Sequence, residues 1–477
     1  MTLSPVQAYL TVTPPGPVTD GIELDIRWTV AAEDAPARDV TVTVLHDGAP
    51  LGAEETIDLA AGDITGRQLR ISTAGWQGVH TFSLSVRVAG VPLPIVSRTV
   101  TVLLSPCRST RLLGGAWVGL THWSEDEARY WNAELSRFTE ADWRGMVRDM
   151  QAIGLHTIII QETWRNPVWY GRHYHQMTAE NYRETYAGKA YYPSRLWPAR
   201  VELPCADPVE AILDEADRLG MRVFLGVGMY AHFDYTAGSL AWHRDVLREL
   251  WDRYRHHDAL HGWYVSEELA GPIRPHEHRY WDATDEFRAE VLAFFTGLQE
   301  IIRSLAPHTL LMVAPDADVD DAADVWPELL RQCDIACFQV YQQQSPEAIA
   351  RMQAWCDAAG CHHWLDLEIF GFEHPDKPGI HREGYTERLP DGTEQWIPTP
   401  LVPQPLELLR KEMEQLHTLE YICAYQYPGL LCAPDARLKP GGERAVQLYR
   451  VYQAYCEQAL GCEINEVPEG GHTHEHR

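Results

Sequence analysis

Three apolar, strand-like runs of this chain end in carboxylates. TIIIQETW (157–164) carries Glu162, GWYVSEEL (262–269) carries Glu267 and Glu268, and HWLDLEIF (363–370) carries Asp366 and Glu368. Carboxylates at the end of buried segments cost energy unless they are paired or used. Two of them facing across a cleft can hydrolyse a glycosidic bond. One protonates the leaving oxygen, while the other attacks the anomeric carbon or activates water. Separation decides the outcome: about 5–5.5 Å gives retention and about 6.5–9.5 Å inversion. Period-two alternation groups Tyr264 with Ser266 and Glu268, Trp263 with Val265 and Glu267, and Asp366 with Glu368. Each acid also has a structural reading, as a cap for the next element or as the partner of a lysine or arginine.

The elements that would position these acids alternate between helix and strand. MVRDMQAIGLHTIIIQ, ILDEADRLGMRVFLGV and AWCDAAGCHHWLDLEIF each read as an amphipathic helix, a glycine stop and a β-branched or apolar strand. Asp207 with Pro208 starts the second helix, and Thr139 with Asp142 makes a capping-box-like start for the first. Eight candidate strands lie near 114–121, 156–163, 222–229, 261–267, 309–314, 334–341, 363–369 and 421–427. Repeated βα units imply an α/β fold with a parallel sheet, and eight of them fit a (β/α)8 TIM barrel. An open doubly wound sheet is the runner-up, without a G-x-G-x-x-G fingerprint or a P-loop to support it. In a barrel, strands 4 and 7 lie on opposite sides of the mouth, so Glu268 and Glu368 would face each other as the catalytic pair. The long insertion at 164–206 and a hairpin turning at Asp391–Gly392 would lie on the same C-terminal face.

Residues 1–106 have a different rhythm. Short alternating runs such as GIELDIRWTV, RDVTVTVLHDG and VHTFSLSVRVAG, separated by turn residues, predict an all-β immunoglobulin or fibronectin-like sandwich. Its role is structural or docking, or a carbohydrate or partner contact. The expected organisation is a β-sandwich accessory domain at 1–106, a catalytic barrel at 107–460 and a histidine-rich tail at 461–477.

Bulk properties narrow the function. A formal charge of −28 repels nucleic acid and favours a neutral substrate. No window suits a transmembrane helix, so no membrane partner is expected. The opening MTLSPVQAYL lacks a secretory leader; the expectation is a cytoplasmic protein, or a secreted one if a leader has been removed. The ten cysteines form no C-x-x-C pair, which argues against a zinc site or a disulfide framework. No H-E-x-x-H motif or G-x-S-x-G elbow appears, and neither a metal nor another cofactor is expected. Histidines cluster near 173–175, at 276–278 and in the tail HTHEHR; such a tail can bind transition metals loosely, but at a terminus it reads as an exposed end and not a site. The 17 Trp and 21 Tyr suit a cleft that stacks on pyranose faces. Oligomeric state is left open.

With glutamates at strands 4 and 7, the chain resembles the clan A, or 4/7, glycoside hydrolases. More closely, residues 112–433 are similar to a glycosidase-type barrel family described as a domain of unknown function, through TIIIQETW, ADPVEAILDEADRLGMRVFLGVG, DRYRHHDALHGWYVSEEL and HWLDLEIF. The resemblance implies Glu268 as acid/base and Glu368 as nucleophile. It sets Glu267 in the clan's asparagine place and Leu269 in its proline place, two departures from the pattern. Strand-end positions supply candidate substrate contacts: His122, Trp123, Gln161, Glu162, Trp164, Tyr230, His232, Glu267, Gln339, Tyr341, Gln426 and Tyr427. By the same resemblance, Tyr341 would hydrogen-bond Glu368. The expected function is hydrolysis of a neutral glycoside or oligosaccharide. The alternatives are a non-catalytic carbohydrate-binding barrel and a metal-dependent barrel enzyme using Glu162, Asp366 or histidines.

Overall fold

The computed structural model describes residues 6–122, 124–165, 188–197, 199–228, 235–269, 271–273, 284–316, 318–339, 345–374, 377, 379, 381–416 and 418–460. Eight parallel strands close into a barrel in chain order. They are strand 1 (Leu113–Val118), strand 2 (Thr157–Ile160), strand 3 (Arg222–Gly226), strand 4 (Leu260–Leu269), strand 5 (Leu310–Pro315), strand 6 (Ile335–Gln339), strand 7 (His362–Glu368) and strand 8 (Tyr421–Tyr427). Each overlaps its expected range.

The expected stops and starts form for the expected reasons. Asp207 accepts from the Glu210 N–H, with Pro208 at the first helical position. Asp142 accepts from the Thr139 N–H at 2.7 Å. Gly220 ends its helix at φ 66°, a left-handed conformation that costs glycine little. The Gly384–Arg388 and Glu394–Pro398 strands form the hairpin around Asp391–Gly392.

Alternation sorts the barrel residues into two layers. Trp117, Ile159, Phe224, Tyr264, Met312, Cys337, Trp364 and Cys423 fill the interior. Ala116, Ile158, Val223, Trp263, Leu311, Ala336, Leu365 and Ile422 face the helices. The interior is therefore packed below the mouth and polar groups are left to its rim.

The N-terminal region is a two-sheet antiparallel sandwich. One sheet holds Val6–Thr13, Glu23–Ala32 and Ile64–Ser72; the other is built on Val96–Leu103, Gly78–Val88 and Ala37–His46. Their inner faces meet through Leu24, Ile26, Trp28 and Val30 on one side and Val42, Phe82, Leu84 and Val100 on the other.

The sandwich docks on the N-terminal end of the barrel, opposite the expected mouth. Thr11 donates to the His308 carbonyl at 2.6 Å, and Thr13 Oγ1 lies 2.8 Å from His261 Nε2. Arg27 reaches Asp334 at 2.7 Å, and Asp334 also takes Arg303 at 2.6 Å. Arg108 reaches Glu420 at 2.6 Å, and Glu420 holds His362 Nδ1 at 2.7 Å. Of these barrel residues, His261, His308, Asp334, His362 and Glu420 sit at or just before the first residues of their strands.

All described cysteines are free thiols. No described helix is long and apolar enough to cross a membrane.

Candidate active site

Parity carries the rim residues inward. Above Trp364 on strand 7 come Asp366 and then Glu368; above Tyr264 on strand 4 come Ser266 and Glu268. Asp366 is level with Gln339 of strand 6 and Cys423 of strand 8, and Glu368 with Tyr425. Strand 4 gains residues relative to strand 5 between Tyr264 and Glu268, where the register shifts. Such an irregularity re-aims side chains at a barrel rim. It also bends the chain so that the Tyr264 phenol donates to the Glu267 carbonyl at 3.1 Å.

Asp366, Glu368 and Glu268 share one electrostatic environment. Burial, then the charge of Glu268, pushes the Asp366 carboxyl well above the usual carboxylate range, and the Trp117 indole N–H opposes that rise. Burial pushes Glu368 up as well, with the charges of Asp366, Glu268 and Asp316 adding to it. Asp366 Oδ1 and Glu368 Oε1 are buried without a hydrogen-bond partner among the described residues. Protonated carboxyls and unused acceptors gathered at a barrel mouth are what a proton-transfer site requires.

Tyr425 links this group to a second one. Burial raises its phenol well above the ordinary value, with Glu127 and Glu268 contributing. Its Oη lies 3.0 Å from His122 Nε2, which is 3.6 Å from Glu127 Oε2. His122 Nδ1 lies 3.0 Å from the Ser124 nitrogen and 3.1 Å from the Ser124 carbonyl oxygen, which anchors the ring with Nε2 facing Tyr425 and Glu127.

Two glutamines converge beside Gly119. A side chain there would stand 3.2 Å from Gln426 Oε1 and 3.5 Å from Gln161 Oε1. Gln426 is fully buried, and neither its Oε1 nor its Nε2 has a partner among the described residues. An amide with both ends unused is a ready donor and acceptor for a hydroxyl-rich ligand.

The expected contacts therefore divide. The structure brings His122, Gln161, Gln339, Gln426, Glu268 and Glu368 to the mouth. Glu267 is buried beside them, on the alternate position of strand 4. Glu162 is buried in an ion pair with Arg165, whose guanidinium also bonds the Thr121 carbonyl at 2.9 Å. Trp164 is wholly buried among Tyr192, Trp197 and Trp242 in the outer layer. Tyr427 also packs in that outer layer. Trp123, Tyr230, His232 and Tyr341 lie outside the described residues. Sequence reasoning passed over Tyr425 and Glu127, and weighed Asp366 only as a metal ligand. The inward parity of Tyr421, Cys423 and Tyr425 in YICAYQY was the available signal for Tyr425.

Comparison with known proteins agrees with this architecture. A family model described as "Domain of unknown function (DUF4434)" matches residues 113–437. A protein assigned as an alpha-L-fucosidase from Bacteroides thetaiotaomicron is similar at 16% identity and a TM-score of 0.50, over 74% of this chain and 96% of its own. A Parabacteroides merdae beta-glucuronidase is similar at 14% identity and a TM-score of 0.39, over 94% of this chain. The chain spans 53% of that enzyme's length. A GH2 beta-galacturonidase from Eisenbergiella tayi is similar at 12% identity and a TM-score of 0.38, over 94% of this chain and 71% of its own. No curated protein matches the sequence. At such identities the first likeness is one of fold alone.

Proposed function

The chain belongs to the family described as domain of unknown function DUF4434, and on that premise we propose that it is a glycoside hydrolase. The substrate is a neutral glycoside or oligosaccharide, and the mechanism is retaining by preference. Glu268 acts as acid/base and Glu368 as nucleophile. The observation that carries this reading is that the charge of Glu268, on strand 4, reaches Glu368, on strand 7, and adds with that of Asp366 to the burial that raises it. Two carboxyls within electrostatic reach across a barrel mouth are the working parts of this chemistry. The Gln426 amide, without a partner among the described residues, and the Tyr425 phenol supply polar contacts for sugar hydroxyls. The fold shared with the fucosidase-assigned protein supports the reading by analogy alone.

In the retaining cycle, Glu268 protonates the leaving oxygen as Glu368 bonds the anomeric carbon. Water then breaks that bond, its proton passing to Glu268. One observation favours a second assignment within the same chemistry. The influences that raise Glu368 favour its protonated form, which suits an acid. The roles are then exchanged.

Glu268→Gln and Glu368→Gln, assayed on a panel of aryl glycosides, test both readings. Each variant is expected to lose about 10³-fold or more on unactivated substrates while keeping its fold. The variant lacking the acid keeps turnover on dinitrophenyl leaving groups, which need no protonation; the variant lacking the nucleophile does not. Full activity in either variant sinks the proposal. Binding of glycans by the wild-type chain, with no turnover of any, would make it a carbohydrate-binding barrel.

A further inference from the structure

We propose that His46, Asp47 and His80 form a binding site for a divalent transition-metal ion of the zinc type, in the sandwich and remote from the barrel mouth. His46 ends the strand Ala37–His46, Asp47 opens the Asp47–Gly48 turn, and His80 lies on the paired strand Gly78–Val88. His46 is level with Phe82 across the ladder, so His80 is the next residue on the same face. Three donor atoms meet at one point. His46 Nε2 lies 3.1 Å from His80 Nδ1 and 3.2 Å from Asp47 Oδ2, and His80 Nδ1 lies 3.1 Å from Asp47 Oδ2. A zinc ion ~2.0–2.1 Å from each of three donors at tetrahedral angles would hold them ~3.3–3.4 Å apart. The triangle needs to open by only a few tenths of an ångström, and it leaves a fourth position for water.

The donors are held in place by neighbours that do not use those atoms. Asp47 Oδ1 accepts the Thr81 N–H at 2.7 Å, which leaves Oδ2 for the cluster. The His46 ring stacks on Trp76 at 4.4 Å and on Phe82 at 4.9 Å, and His80 stacks on Trp76 at 4.8 Å. Nε2 of His80 is buried with no hydrogen-bond partner among the described residues, so the ring's polar contacts are concentrated at Nδ1. Locked rotamers of this kind are what a binding site requires. Two imidazole nitrogens and one carboxylate oxygen select zinc, cobalt, nickel or copper over magnesium or calcium.

A second cluster, Glu210 with His256 and His257, makes a useful contrast. There His257 Nδ1 is already bonded to Asp217 at 2.6 Å, and the contacts to Glu210 are 3.4 and 3.6 Å, so ion pairing accounts for it.

Cobalt(II) titration of the full-length protein tests the proposal, read through the intense visible absorption of tetrahedral cobalt. The His472→Ala/His474→Ala/His476→Ala variant removes the tail histidines and serves as the background. In that background one equivalent is expected to give the tetrahedral spectrum, and zinc to displace it. His80→Gln abolishes the spectrum. Asp47→Asn, which keeps the bond to Thr81, weakens binding by at least about tenfold. Circular dichroism checks that each variant is folded. Crystals grown with zinc are expected to show an anomalous peak bonded to the same three atoms. No tetrahedral spectrum in the tail-free background would overturn the site, as would one unchanged in both Asp47→Asn and His80→Gln.

Discussion

The two ends of the barrel bury the same functional group and treat it in opposite ways. At the N-terminal end, under the sandwich, Asp334 is held well below the usual carboxylate range by Arg27 and Arg303, which outweigh the cost of its burial. Glu420 is lowered in the same way by His362 and Arg108. At the C-terminal end, burial raises Asp366 and Glu368, the charge of Glu268 adding to both and that of Asp366 to Glu368. The bottom is arranged for stability, with Asp334 and Glu420 each met by opposite charges. The top keeps acids that destabilise one another, which a fold retains where chemistry needs protons to move.

That contrast can be broken or sharpened by substitution. The largest effect is expected from Glu268→Gln and Glu368→Gln, with kcat/KM down by about 10³-fold or more and the melting temperature unchanged or higher. A matching fall in melting temperature would mean that the top is structural after all. Next comes Asp334→Ala, which leaves Arg27 and Arg303 buried without their shared anion. It should cost about 3–5 kcal/mol in denaturant unfolding. Activity well below the new midpoint should be intact, and a wild-type unfolding curve would refute the pairing argument.

Asp366→Asn should do the reverse. An acid whose folded pKa is raised binds more protons native than unfolded, so its contribution falls as pH rises from about 4 toward the folded value. The variant should gain stability over wild type by up to about 1.4 kcal/mol per pH unit across that window, and nothing below it. For Asp334 and Glu420 the sign is opposite. Their contribution is full above the ordinary carboxylate value of about 4 and is lost as pH falls through the lowered one. Paired unfolding titrations of Asp366→Asn and wild type would separate the two ends. The smallest effect is expected from Tyr425→Phe, which removes the bond to His122: kcat should fall by about tenfold, the kinetic weight of one hydrogen bond. An unchanged pH–rate profile and kcat would detach His122 and Glu127 from the site.

Most of the fold was legible because its signals are local. Asp207–Pro208, Gly220 and the β-branched runs each act within a few residues, and the strands formed where those runs lie. Inward parity at Glu268 and Glu368 was legible for the same reason. The rest depends on side chains that fold back or on partners far away in the chain. Glu162 turned out to be occupied because Arg165, three residues on, folds back onto it. Trp164 went to the outer layer with Ile158 and Ile160, whose parity it shares. Tyr425 was overshadowed by the two polar-looking residues after it, and its tie to His122 spans most of the barrel sequence.

Docking of the sandwich has a consequence for modularity. A change of rhythm near residue 107 invites cutting the gene there and treating the first part as a detachable accessory. The cut would strip Asp334 of the Arg27 guanidinium and would bare His261 and His308 to water. Arg108 lies just inside the barrel half, yet its backbone carbonyl is bonded to Thr19. The two parts are thus one unit with a seam, expected to unfold in a single transition, and any minimal folded fragment of this chain is expected to carry its sandwich with it.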